Sequence, residues 1–262
     1  MTDPTVAFDD GSAYEQFMGR SSRAIGTIFL DWLAAAKGAQ WLDVGCGTGA
    51  FTELLLDTCS PAATVAVDPS AAQIDYARRR LDGQRVDIRV ADAQTLPFSS
   101  NSFDIVVSAL VINFIPDRIR ALAEMRRVCR PGGPVAGYLW DFAGEHSAGW
   151  PLRHGLRQIG VEPPRIPGAE DSSMEALYRL FAQTGLEEIA VRPIDVVVTF
   201  AGFDEYWRSQ APVFTPNGKA VAALSKANRM ELAEIVRAIL PAAPDGAIAY
   251  SARAHAIKSR AP

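Results

Sequence analysis

Residues 41–52 read Trp-Leu-Asp-Val-Gly-Cys-Gly-Thr-Gly-Ala-Phe-Thr, an aspartate closely followed by glycines at alternate positions. Gly45, Gly47 and Gly49 let the chain turn tightly while a ligand lies against its backbone. The pattern Gly45-x-Gly47-x-x-Ala50 matches the dinucleotide-binding fingerprint, and Asp68 follows Gly49 by 19 residues. On glycines alone, a dinucleotide, another adenosine ligand or an empty turn all fit.

Asp43 separates these ligands. It ends an apolar run, at the place where a dinucleotide sets its pyrophosphate, and a carboxylate there repels two phosphates in a partly desolvated cleft. S-adenosylmethionine has no phosphate and carries an ammonium and a sulfonium, which the same carboxylate favours. The alternative is a carboxylate satisfied by loop amides. Asp68, with Pro69 beside it, could accept both ribose hydroxyls or act only as a charge at a helix N-terminus. Asp92, in Val-Ala-Asp-Ala-Gln, could accept from an adenine amino group while Ala93 and Gln94 offer backbone groups to the ring edge. Taken alone it is an ordinary loop aspartate.

These residues need strand ends to hold them. Trp41–Val44, Thr64–Val67, Val86–Val90, Phe103–Ser108 and Val135–Trp140 read as strands, the fourth apolar almost throughout, as a strand covered on both faces should be. Helical spacing connects them: Ile25, Ile28, Phe29, Trp32 and Leu33 ahead of the first, Phe51, Leu54 and Leu55 after it, then Ala71, Ile74, Ala77 and Leu81 behind a Ser70 N-cap. Asp117 caps a further helix through Val128, whose C-terminal end gathers Arg126, Arg127 and Arg130, where the dipole favours cations. Strand–helix alternation predicts an open, doubly wound, mostly parallel α/β sheet that binds ligands at its carboxyl edge, where Asp43, Asp68, Asp92 and Ser108 all fall. Beyond it, 141–170 is rich in Gly, Pro, His and Trp, Ser172–Thr184 reads as a helix, Ile189–Phe200 as a strand, 203–240 as helical and Ile248–Ile257 as a last strand. We expect a single domain over 1–262, with segments 141–170 and 200–240 covering the substrate.

A chain of 262 residues, 48% hydrophobic, has enough apolar side chains for a sizeable core. Its net charge of −4 argues against general attraction to nucleic acid or anionic lipid. Cys46, Cys59 and Cys129 are widely spaced and odd in number, which forms neither a disulfide framework nor a metal pattern and suits the cytoplasm. The acidic N-terminus lacks the apolar stretch of a signal peptide, and no run is long enough for a membrane span.

Residues 41–142 resemble class I S-adenosylmethionine-dependent methyltransferases, the broad group that includes ubiquinone and menaquinone biosynthesis C-methyltransferases. The likeness rests on 41–52, on Val-Ala-Val-Asp-Pro-Ser from 65, on Val90 to Asp117, and on Glu-Met-Arg-Arg-Val-Cys-Arg-Pro-Gly-Gly from 124, all in the family's order and spacing. It continues upstream in residues 14–33 and, more weakly, downstream in 204–210 and 249–260. The resemblance implies a Rossmann-like sheet of seven strands with the last antiparallel, and S-adenosylmethionine as cofactor. It implies that Asp43 and Gly45, with Cys46, Gly47 and Gly49, lie near the methionine part, that Asp68 and Pro69 meet the ribose, and that Asp92, Ala93 and Gln94 meet the adenine. Ser108 and Ala109 would border the transferred methyl, and Tyr14 and Arg20 would close over the site, Arg20 as a partner for the cofactor carboxylate. Relatives often carry histidine where this chain has Asn113 and Phe114, so no base role transfers there.

Outside these motifs, His146 and His154 lie in the 141–170 segment beside Trp140, Asp141 and Trp150, and His255 in the last strand. Exposed or locally bonded histidines account for them as well as catalysis does. Phe203, Tyr206 and Trp207 either line a pocket or form a helix packing face, and Arg78–Arg80 reads as a solvated face. Methyl transfer from a sulfonium needs alignment and exclusion of water more than side-chain chemistry. The sequence therefore points to methyl transfer onto a small molecule, with cofactor binding without catalysis, or an NAD-type oxidoreductase, as the competing readings.

Overall fold

The computed structural model describes residues 11–212 and 215–262, with side chains from residue 22 onward. Seven strands form one sheet in the order β3-β2-β1-β4-β5-β7-β6. They are β1 Gln40–Val44, β2 Ala63–Asp68, β3 Val86–Val90, β4 Ile105–Ala109, β5 Pro134–Trp140, β6 Glu187–Phe200 and β7 Ile248–Arg260. β1 to β5 pair in parallel, while β7 runs antiparallel to both β5 and β6. The order reverses at β1, between β2 and β4, which opens a crevice at the carboxyl edge there.

Period-two alternation assigns the two faces. Leu42, Val44 and Val106 pack under helices α4 (Arg118–Val128) and α6 (Met174–Ala182). Trp41, Ile105, Val107 and Tyr138 pack under α1 (Gly11–Leu33) and α2 (Ala50–Cys59). Helix α3, Ala71–Arg80, lies along β2 and β3. The expected caps form, with Ser70 Oγ accepting from Gln73 N and Asp117 Oδ1 from Arg120 N. The arginines at helix ends do more than meet a dipole. Arg126 donates to Thr184 O at 2.7 Å, and Arg80, paired with Glu53 at 2.8 Å, joins α3 to α2 instead of being freely solvated.

Four differences from the sequence reading stand out. β4 starts at Ile105, with Phe103 making only an isolated bridge to Cys129. The 141–170 segment contains α5, Trp150–Gln158, whose Pro151 sits in the first turn, where a missing N–H costs nothing. The 203–240 stretch is three helices, α7 Phe203–Gln210, α8 Pro216–Ala222 and α9 Lys226–Ile239. Thr215 and Ser225 cap the second and third, accepting from Gly218 N and Asn228 N. And β7 extends to Arg260, past the Ile257 expected. α5 and α9 pack together, so Leu152, Leu156, Tyr206, Val221, Leu232 and Val236 build one apolar cluster from two segments distant in sequence.

Candidate functional site

The turn after β1 is held by β2. Gly45 N and Cys46 N both donate to Val67 O, at 2.7 and 2.9 Å, and Gly49 N donates to Cys46 O at 2.9 Å. Two of the glycines are required by packing. A Cβ on Gly45 would collide with the Val111 side chain, and one on Gly49 would stand 3.2 Å from Ala77 Cβ on α3. Gly47 differs: at φ +53° a Cβ there would meet none of the described residues within 4 Å, so its Cα side is the part of the turn a ligand can reach.

Alternation turns Asp43 toward α2, where its carboxylate is fully buried. Thr52 Oγ1 donates to Asp43 Oδ2 at 2.7 Å, and Oδ1 has no donor among the described residues. Burial pushes this carboxyl up to about 7, the Thr52 bond opposes the rise and the charge of Asp68 adds to it. Loop amides do not satisfy Asp43, so the alternative considered from the sequence does not describe it. Thr52 closes the quoted motif, and its hydroxyl on the first turn of α2 was the signal that could have found it.

Asp68 is fixed by amides. Gly47 N donates to Oδ2 at 3.0 Å and Ser70 N to Oδ1 at 2.9 Å, so one carboxylate joins the turns after β1 and β2. Burial raises its pKa and these two bonds counteract the rise. Pro69 beside it is exposed, and Cys46 is buried, its thiol pushed well up by burial and so unreactive.

Asp92 is exposed and accepts from Gln94 N at 2.8 Å and from Gln94 Nε2 at 3.0 Å. Gln94 Oε1 in turn accepts from Asp117 N, and Gln94 O from Arg120 Nε. The rest of this loop is carried by α4: Glu124 accepts from Leu96 N at 2.9 Å, and Arg127 donates to Leu96 O and Phe98 O. Arg127 beside Glu124 holds that carboxyl below its usual range. Glu124 and Arg127 were quoted in the motif, but helical periodicity gives them no target in a loop about thirty residues away.

Ser108 is buried and donates to Val44 O at 2.9 Å, tying the ends of β1 and β4. Ala109 is half-buried, and Leu110 turns out of the strand at φ +62° with its N–H on Tyr138 O. Asn113, buried, donates to Pro167 O at 3.1 Å and so anchors the turn after β4 to the 141–170 segment. Tyr14 and Arg20 lie on α1 by position, and their side chains fall outside the described residues.

His146 and His255 both approach Asp141 Oδ2, at 3.4 and 3.7 Å, while His154 lies elsewhere. His255 is buried with Nδ1 2.7 Å from Ser172 O, and His154 leans on Trp150 at 4.9 Å. Tyr206 is fully buried in the α5–α9 cluster, while Phe203 lies under Arg237 at 4.2 Å, so this stripe is a packing face. Among the described residues no cluster of three metal-ligating side chains is present, and no helix is long and apolar enough to cross a membrane.

Residues 42–136 match the family described as Methyltransferase domain. Over 139 residues the chain is 32% identical to the ubiquinone/menaquinone biosynthesis C-methyltransferase UbiE of Dinoroseobacter shibae, a stretch covering 52% of this chain and 55% of that protein. The chain spans between 25% and 55% of the length of such curated relatives. Among solved structures, a Bacillus halodurans protein described as a methyltransferase superposes with a TM-score of 0.59 at 18% identity, over 92% of this chain and 99% of that one. Phosphoethanolamine N-methyltransferase 2 of Haemonchus contortus, solved with S-adenosyl-L-methionine, gives 0.61 at 20% identity over 99% of this chain and 59% of that one. At these identities the likeness is one of fold.

Proposed function

We propose that the chain, whose residues 42–136 match the family described as Methyltransferase domain, is a class I S-adenosylmethionine-dependent methyltransferase that transfers the cofactor's methyl group to a small-molecule acceptor. The observation that carries this reading is the Asp43 carboxylate, buried beside the glycine turn with one oxygen lacking a donor among the described residues. A buried acceptor without a partner is costly unless a ligand supplies the donor. The ammonium of the cofactor's methionine part is such a donor, and a cation there favours the ionised carboxylate. A pyrophosphate would instead keep the carboxyl protonated or repel it.

The remaining assignments rest on the family resemblance together with placement. Asp68 keeps free lone pairs after its two amide bonds and is assigned the ribose hydroxyls, with Pro69 at its side. Asp92, Ala93 and Gln94 are assigned the adenine edge, Gly45, Cys46, Gly47 and Gly49 the methionine part, and Ser108 and Ala109 the border of the methyl path. Tyr14 and Arg20 are assigned to closure over the cofactor. When bound, S-adenosylmethionine supplies a methyl on a sulfonium that is already a good leaving group. The residues here then bind, align and exclude water. Segments 141–170 and 200–240 follow β5 and β6 at the carboxyl edge and are assigned the acceptor, within one domain. Free thiols at Cys46, Cys59 and Cys129 suit the reducing cytoplasm.

Calorimetry with S-adenosylmethionine, S-adenosylhomocysteine, NAD and NADP tests the cofactor assignment. The first two should bind and the last two should not. Saturable NAD binding without S-adenosylmethionine binding overturns it.

A further inference from the structure

Helix α4 holds the loop assigned to the adenine along one ridge. Asp117, Arg120, Glu124 and Arg127 recur at helical spacing, while Ala121, Leu122, Met125 and Val128 are buried on the other side. From the ridge Asp117 N donates to Gln94 Oε1 at 3.1 Å, Arg120 Nε to Gln94 O at 2.9 Å and Arg127 Nη2 to Leu96 O at 3.0 Å. Glu124 Oε2 accepts from Leu96 N at 2.9 Å.

Gln94 is the link between this ridge and Asp92. Its backbone is committed on both sides, N–H to Asp92 Oδ1 at 2.8 Å and O to Arg120. Its side chain fits only one way round, because the Asp117 N–H requires the amide oxygen and a carboxylate requires the amide nitrogen. Nε2 accordingly stands 3.0 Å from both Asp92 Oδ1 and Asp92 Oδ2. An exposed aspartate otherwise turns freely about its terminal torsion, and this double contact holds it. Oδ1 accepts from two Gln94 donors, whereas Oδ2 accepts from one, so among the described residues Oδ2 is the oxygen with capacity left for a ligand.

The place of this carboxylate suits a base joined to a ribose. Ala91 N donates to Asp68 O at 3.1 Å where β3 leaves β2, so the two carboxylates assigned to the nucleoside follow neighbouring strand ends. Asp92 is exposed, and a ligand reaches it without displacing a core side chain.

We propose that Gln94 is a positioning residue that acts through Asp92 and makes the cofactor site selective for a 6-aminopurine. A carboxylate held in one orientation accepts from the adenine amino group and repels the carbonyl oxygen that hypoxanthine carries in its place. A carboxylate released from Gln94 can turn to the neighbouring N1–H of hypoxanthine, and the distinction is lost. Gln94 needs no ligand contact for this role, since its polar groups are spent on Asp92 and α4. The inference rests on the assignment of Asp92 to the adenine edge and divides the work there between contact and support.

The test titrates the full chain by calorimetry at pH 8 with S-adenosylhomocysteine and S-inosylhomocysteine, which differ in the base alone. The parent should prefer the adenine ligand by about tenfold or more, because a site built to meet an N–H rejects the analogue lacking it. Gln94→Met removes both ends of the amide. Gln94→Glu keeps the acceptor for Asp117 N and sets a carboxylate against Asp92 in place of the donor. Each should cut the preference to roughly threefold or less, as expected when a hydrogen bond to a charged group is lost. If Gln94 served only to fasten the loop to α4, Gln94→Glu would keep the parent's preference. Asp92→Asn should lose the preference by itself, and adding Gln94→Met to it should change the ratio no further. The parent's full preference in either Gln94 variant that folds overturns the positioning role, as does a further loss in the double variant. No preference in the parent, or a full one in Asp92→Asn, overturns it through the adenine assignment on which it rests. Failure of the parent chain to bind S-adenosylhomocysteine refutes the methyltransferase reading instead, so the failures are distinct.

Discussion

The Thr52 hydroxyl donates a 2.7 Å hydrogen bond to one oxygen of the buried Asp43 carboxylate and leaves the other without a donor among the described residues. Strand β1 and helix α2 thus meet at a carboxyl that the fold alone serves poorly and a cationic ligand would serve well. Its titration near neutrality gives the site a measurable signature.

The Asp43 carboxyl, at about 7 in the folded chain, is mostly neutral at pH 6 and mostly ionised at pH 8. Only the ionised form attracts an ammonium, so S-adenosylmethionine affinity should rise about tenfold between those values. Asp43→Asn should flatten the profile. Calorimetry at a series of pH values checks this, and a parent profile as flat as the variant's sinks the Asp43 assignment.

Stability should run the other way in the ligand-free chain. The unfolded aspartate titrates near 4 and the folded one near 7, so the folded state holds the extra proton between these values. Stability from this group is present below about 4 and is lost as pH rises through about 7, on the order of a few kcal/mol in all. Denaturant unfolding at pH 5.5 and 8 should show the loss in the parent chain and much less of it in Asp43→Asn.

Thr52→Val removes the donor to Asp43 at nearly unchanged volume and should cost roughly 1–3 kcal/mol at pH 8, where the carboxylate is ionised. Thr52→Ser should retain most of the stability. Equal stability of the valine and serine variants would mean that the hydroxyl does not support the charge.

Asp68→Ala should lower S-adenosylmethionine affinity by roughly 2–3 kcal/mol, with Asp68→Asn intermediate. The alanine variant also frees Gly47 N and Ser70 N, so it should soften the glycine turn. Hydrogen exchange at Gly47 and Ser70 in the ligand-free variant reads that second effect separately from binding. Unchanged affinity in a folded variant would remove Asp68 from the cofactor site.

Leu152→Ala on α5 and Leu232→Ala on α9 should each cost about 2–5 kcal/mol, both residues being fully buried in one cluster. The double variant should depart from additivity by roughly 0.5–3 kcal/mol. Additive costs would show that the two segments are packed independently. Tyr206→Ala belongs with this group, at about 3–5 kcal/mol of stability, because it is a core residue of the module instead of the pocket wall its aromatic stripe suggested.

The first half of the sheet was legible from local signals: β1 carries Asp43 one residue before its end, β2 ends on Asp68, Asp92 follows β3 by two residues, and Ser70 and Asp117 open the next helices. These are local patterns set by backbone geometry. α5 was missed because Gly155 and Pro151 dilute its apolar period, and the helix is completed by Leu232 and Val236, whose side chains meet it from another segment. The pairings of Thr52 with Asp43, Arg127 with the 96–98 backbone, and Gln94 with Asp117 likewise join elements that no short window contains. Residue type announced the carboxylates of the site, and only the folded chain announced what supports them.

The shared cluster of α5 and α9 also sets an order of events at the ribosome. When Leu152 and Leu156 emerge, the Leu232 and Val236 side chains that cover them are still to be made, behind β6, α7 and α8. At ~5–20 residues per second this leaves the apolar face of α5 without its partner for several seconds. β7, the strand that joins β5 to β6, arrives later still. The part of the chain assigned to the acceptor is therefore the last to be assembled, and the nascent α5 face is where a chaperone would find the chain.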